Sequence, residues 1–141
     1  MIKVITDLER VGDQAVNMAQ AIIAFLTKPP LRPILDVAVL GETAVEMLHD
    51  SVNAFVTQDV VLGQAVLDRD AKADDLRDSI FRVLLTHMMA DPGAIERALG
   101  LIIVSRCLER IADHATNIAE ETVFVAEGRV IRHSGGALAT E

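Results

Sequence analysis

Carboxylates at four-residue spacing, in a pattern that occurs twice one hundred positions apart, are the residues of this 141-residue chain whose types and spacing could do chemistry. Glu109, Asp113 and Asn117 lie in LERIADHATNIAEE, Leu108 to Glu121, and Glu9, Asp13 and Asn17 lie in LERVGDQAVNMAQA, Leu8 to Ala21. Leu8, Glu9, Arg10, Asp13, Ala15, Asn17 and Ala19 return as Leu108, Glu109, Arg110, Asp113, Ala115, Asn117 and Ala119. On an α-helix a step of four drifts by about 40° and climbs about 6 Å, so each set makes one polar stripe. Repetition at a fixed offset points to two related units rather than one accidental acidic face.

A second acidic pair with the same spacing, Asp70 and Asp74, precedes the turn Asp91-Pro92-Gly93. Residues level across an antiparallel helix pair have a nearly constant sum of residue numbers. Asp74 with Glu109 and Asp70 with Asp113 both give 183, and half of that falls inside the turn. Asp70, Asp74, Glu109 and Asp113 are therefore expected level with one another, flanking the core, with no Lys nearby to neutralise them. Four converging carboxylates raise one another's pKa unless a cation sits between them. Oxygen donors suit Mg, Ca, Mn or Fe, whereas zinc and copper would call for more His or Cys. The expected cofactor is a divalent or trivalent metal (Fe, Mn, Mg or Zn), with a hard, oxygen-ligated ion favoured. His114 follows Asp113 by one residue and so points about 100° away. It reads as a surface or interface residue rather than a ligand, and Arg110 projects elsewhere. Asn117 and Asn17 are candidates to complete the sites or to bind backbone in a neighbouring helix. A single acidic stripe is ordinarily a solvated face. That reading is kept for Glu42, Glu46 and Asp50, which nothing repeats.

The elements that must position these stripes are helices. Ile2 to Thr27 carries Leu8, Val11, Ala15, Met18, Ile22 and Leu26 at steps of three and four, and three prolines within residues 29–33 separate it from the next segment. A second helix is expected from about Ile34 to Gln58, with Ile34, Ala38, Gly41, Val45, Leu48, Val52 and Phe55 as its seam. Asp59 is the N-cap expected for a third helix reaching about Ala90, whose inner face reads Leu62, Val66, Ala73, Leu76, Ile80 and Leu84. Asp91 and Pro92 open a fourth, expected to end at a Gly128 C-cap. Residues 129–141 contain Ser-Gly-Gly without periodicity and are expected to be a disordered tail. Four long helices with short connections, the last three antiparallel, make an all-α bundle.

Composition narrows the class. Hydrophobic residues make up 51% of the chain, yet there is no Trp or Tyr and only four Phe, an aliphatic mixture that suits helix packing. A formal charge of −8 argues against nucleic acid as a partner. No apolar run approaches the roughly 20 residues that span a bilayer, and no signal-peptide pattern opens the chain. The single cysteine, Cys107, makes no internal disulfide and reads as a buried packing thiol. A reducing, cytoplasmic setting is expected. Phosphate loops of the GxxxxGK type, Gly-x-Ser-x-Gly elbows, His-Glu-x-x-His and the di-iron Glu-x-x-His are all missing, so the chain is not expected to be an enzyme.

At LERIADHATNIAEE, together with AVLDRDAKADDLRDSIFRVLLTHMMADP, the chain resembles the PhoU family of phosphate-uptake regulators. The resemblance implies two three-helix repeats, each ending in a Glu-x-x-x-Asp helix that faces an Asp-x-x-x-Asp helix and can hold metal. Glu109 and Asp113 match the first motif, Asp70 and Asp74 the second, and Glu9 and Asp13 the first motif of the earlier repeat. It further implies that residues 1–28 are the last helix of an incomplete first repeat, 29–33 a linker and 34–128 a complete repeat. The role implied is a cytoplasmic negative regulator and adaptor between the ATPase subunit of a phosphate ABC transporter and a sensor histidine kinase, with a homodimer expected because the first helix must bury its face. The carboxylates taken alone equally fit a metal-binding helical protein, such as a buffer, with no regulatory partner.

Overall fold

The computed structural model describes the backbone of residues 1–31 and 34–135. Five α-helices occur in the order α1 (Ile2–Ile23), α2 (Ile34–Thr57), α3 (Val60–Asp68), α4 (Asp70–Ala90) and α5 (Ile95–Gly135), with a 3₁₀ turn at Pro92–Ala94 before the last. No strand occurs among the described residues. Four of the helices are long, and the 41-residue α5 is the axis against which each of the others packs. The architecture is an antiparallel bundle of α2, α3–α4 and α5 with α1 laid along the far side of α5.

Local signals set the boundaries. The Asp59 carboxylate accepts from the Leu62 N–H at 3.0 Å and caps α3. Asp91 does the same for the Gly93 N–H at 2.9 Å, with Pro92 in the first turn where no donor is needed. Between α2 and α3 the chain turns through Gln58, whose φ of 56° lies in the left-handed region. The α2–α3 and α4–α5 connections are therefore a few residues each, which leaves no room for a crossover.

The core is aliphatic: Leu40, Ala44 and Met47 of α2, Val66 of α3, Ala73, Ile80 and Leu84 of α4, and Leu108, Ala112, Ala115 and Ala119 of α5. Cys107 is buried, as its neighbours suggest. Gly100 has a packing reason, since a Cβ there would stand 1.9 Å from Cζ of Phe25, so the ring of Phe25 lies against bare backbone of α5.

Several sequence expectations are corrected. The third helix is two, interrupted at Arg69, whose guanidinium reaches Asp50 at 2.8 Å and whose break places Asp70 in the first turn of α4. The first helix stops at Ile23 rather than Thr27, although the apolar repeat runs three residues further, to Leu26. Its packed line is Val4, Asp7, Val11, Met18, Ala21 and Phe25, while Leu8, Ala15, Ile22 and Leu26 are exposed. Asp7 sets that rotation, because its partners lie on α5. The buried line of α2 is Val37, Leu40, Ala44, Met47, Ser51 and Ala54, with Ala38 and Val45 outside, because the helix is turned so that Leu40 and Met47, its largest buried side chains, fill the core. The side chain of Ile34 lies outside the described residues. Gly128 does not end the last helix, which continues to Gly135. Of the tail expected over 129–141, residues 129–135 are helical in backbone and the remainder lie outside the described residues.

Candidate metal centre

The hairpin of α4 and α5 brings three carboxylates together. One oxygen each from Asp70, Asp74 and Asp113 lies within 4.8 Å of the others, and all three residues are half-buried. Asp70 Oδ1 is buried and has no hydrogen-bond partner, which costs free energy unless something positive meets it. Burial first, then the charges of Asp74, Asp113 and Glu120, push the Asp70 carboxyl above its ordinary range. Asp113 is pushed up to about 6, by burial, by a hydrogen bond with Glu109, and by the charges of Glu109 and Asp74, with Arg77 opposing. An unpartnered buried oxygen and a crowd of carboxylates that resist ionisation fit a hard cation, and the all-oxygen donor set fits Mg, Mn or Fe better than Zn.

Glu109 stands at the edge of this group, hydrogen-bonded to Asp113. Its Oε1 is 3.0 Å from Nη1 of Arg77, and it does not join the three-carboxylate group. No Lys is expected nearby to neutralise the cluster; the cation that stands beside it is Arg77. That residue lies three positions after Asp74, on the same helix face, and pairs with Glu109, which also hydrogen-bonds Asp113.

The remaining candidates separate. Glu9, Asp13 and Asn17 are exposed on α1, and the three-carboxylate group includes none of them. Asp13 lines an open cleft of about 570 Å³ between α1 and α5, with Arg10, Gln14, Arg110, Asp113 and His114 among its walls. His114 is an interface residue: its Nδ1 lies 2.9 Å from Oδ1 of Asp7. Asn117 donates to the same Asp7 oxygen at 3.3 Å, so it binds a side chain of the neighbouring helix rather than its backbone. Asp7, only 5% exposed, is not among the residues that sequence reasoning singles out, although one signal is available: it is the polar residue in the spaced row Val4, Asp7, Val11. Glu120, which adds its charge to the site at Asp70, escapes that reasoning as well.

The PhoU domain profile matches residues 37–122, the span that contains the whole hairpin site. The chain belongs to the PhoU family. It is 40% identical over 131 residues to the phosphate-specific transport system accessory protein PhoU homolog of Aquifex aeolicus, covering 93% of this chain and 59% of that protein. The Pseudomonas aeruginosa homolog is 37% identical over 134 residues, covering 94% of this chain and 55% of that one. The crystal structure of PhoU from Pseudomonas aeruginosa superposes with a TM-score of 0.86 at 37% identity, covering 89% of this chain and 61% of that chain. The chain thus spans little more than half the length of the PhoU relatives it matches. Those relatives are named accessory proteins of a phosphate-specific transport system.

Proposed function

We propose that the chain is a cytoplasmic negative regulator of phosphate uptake and phosphate-starvation signalling. It joins the ATPase subunit of a phosphate ABC transporter to a sensor histidine kinase, acts by binding rather than catalysis, and carries a hard cation on Asp70, Asp74 and Asp113. Membership of the PhoU family and the accessory role for which its relatives are named support the transport part of this reading. No helix among the described residues is long and apolar enough to cross a membrane, which agrees with a partner that meets the transporter from outside the bilayer. In this reading α1 is the last helix of an incomplete first repeat and α2 to α5 form a complete one. Glu9 and Asp13, the repeat equivalents of Glu109 and Asp113, are donors of the same kind.

The observation that carries the metal part is the buried, unpartnered oxygen of Asp70 within a group of three carboxylates. A bound cation would supply the positive charge that offsets their repulsion and would tie the start of α4 to the middle of α5. The test is capture of purified transporter ATPase and kinase by the immobilised chain, with and without Mn²⁺, for the wild type and for Asp70→Asn with Asp74→Asn. Capture of both partners, strengthened by metal in the wild type alone, is the expected result. Metal binding with capture of neither partner would leave only the buffer reading.

A further inference from the structure

The crossing of α1 and α5 places arginines in an acidic protein without acidic partners. Lys3 lies against Glu121 and Asp7 against His114, while Lys28 pairs with Glu96, so α1 runs antiparallel to α5. These are the helices that carry the repeated sequence, and an antiparallel pair of equivalent segments has an approximate two-fold axis. Residues level across the pair and also equivalent in the repeat fall at Arg10 and Arg110, close to that axis. The symmetry is broken one turn away on each side. On one side Asp7 meets His114; on the other the equivalent positions are Cys107 and Gln14, so a thiol stands where the carboxylate would be.

That second side is a small open cleft of about 280 Å³ lined by Gln14, Asn17, Ile103, Arg106, Cys107 and Arg110. No carboxylate lines it. Arg106 and Arg110, four residues apart on one face of α5, are exposed, and among the described residues neither forms an ion pair, whereas Arg69 and Arg77 both do. Burial pushes the Cys107 thiol above its ordinary range, and the guanidiniums of Arg110 and Arg106, close enough to act on it, oppose that shift. Asp13 and Asp113 stand in one neighbouring cleft, across Arg110, and Asp78 and Glu109 in another that Arg106 and Arg110 also line.

We propose that this cleft is an oxyanion site that takes a tetrahedral phosphate group, held by the guanidiniums of Arg106 and Arg110 with the amides of Gln14 and Asn17 as further donors. Paired guanidiniums suit such a ligand because each presents two parallel N–H donors to two oxygens. The ligand is inorganic phosphate or the phosphoryl group of a phosphomonoester. The inference does not rest on the metal reading.

Calorimetric titration of the full chain with inorganic phosphate and with phosphoserine, in chelator and against matched chloride, tests it. A binding readout is needed because phosphate also stabilises proteins generally by exclusion from their surface. Saturable millimolar or tighter binding is expected, weakened about tenfold by Arg106→Gln or Arg110→Gln and less by Arg110→Lys. Asp74→Asn and the distant Arg82→Gln should leave it unchanged. Tighter phosphoserine binding would identify a phosphoryl group on a larger ligand, and tighter phosphate binding the free ion. No saturable binding of either, binding that survives the double arginine substitution in a protein with an unchanged helical melt, or loss in Asp74→Asn would overturn the proposal.

Discussion

Replacing Asp113 with Asn separates the electrostatics of the α4–α5 site from its shape. In the folded chain the Asp113 carboxyl is raised from 3.8 to about 6, chiefly by burial and then by its hydrogen bond with Glu109 and the charges of Glu109 and Asp74. The folded state therefore holds this proton more tightly than the unfolded state does. Its contribution to stability is fully present below pH 3.8 and is lost as the pH rises through about 6. At full strength that interval corresponds to about 3 kcal/mol. The side chain is partly exposed, and solvent screening reduces the effect to about 1 kcal/mol. Asn keeps the volume, has no charge to repel, and offers a permanent donor to the Glu109 carboxylate. The metal-free variant should match the wild type near pH 4 and exceed it by about 1 kcal/mol at pH 7, some 3 °C in Tm for a domain of this size. Mn²⁺ should reverse the order, since a cation at one hundred times its Kd stabilises the wild type by about 2.7 kcal/mol and finds one donor fewer in the variant. Thermal melts across this pH range, in chelator and in Mn²⁺, give the comparison. A variant that is less stable at pH 7, or a difference that does not change with pH, would refute the reasoning.

Glu109→Gln breaks the ion pair with Arg77 and also removes a charge that crowds Asp113, so its two effects oppose each other. A small net loss of up to about 1 kcal/mol in urea denaturation is expected, and a gain comparable to that of Asp113→Asn would mean that repulsion of Asp113 outweighs the pair with Arg77. Asp7→Ala removes the buried acceptor of His114 and Asn117 and should cost about 2 kcal/mol, measured by the same denaturation. An unchanged midpoint would mean that α1 contributes nothing through this contact. The flank of α1 that carries Ile5, Leu8, Val16, Ile22 and Ile23 is exposed, with Val16 at 56%, and it should pair with a second copy of the chain. Sedimentation equilibrium should show a dimer for the wild type and a monomer for Val16→Glu, and a monomeric wild type would exclude the pairing.

Helices, their caps and the repeat were legible because they depend on near neighbours. Proline removes a donor wherever the fold places it, and Asp59 and Asp91 cap N–H groups only two or three residues away. The acidic stripes were legible for the same reason, since a spacing of four fixes a shared face within any helix. Helix rotation was harder to read. In α1 and α2 the apolar residues cover more than one face, so spacing alone offered two neighbouring stripes. The choice fell to contacts from elsewhere, with Asp7 drawn to His114 and Leu40 and Met47 turned into the core.

The sequence by itself determined an acidic, aliphatic chain of long helices with carboxylates aligned along several of them, because these are properties of composition and of helical period. Only the tertiary structure decided which carboxylates meet. Asp70, Asp74 and Asp113 share a site while Glu109 stands between Asp113 and Arg77, because a helix pair can slide by part of a turn and each side chain can choose among rotamers. The bond between Asp7 and His114, 107 positions apart, belongs to the same class. No local rule reaches that far, and the partner is fixed when the packed core sets the distance between the helices.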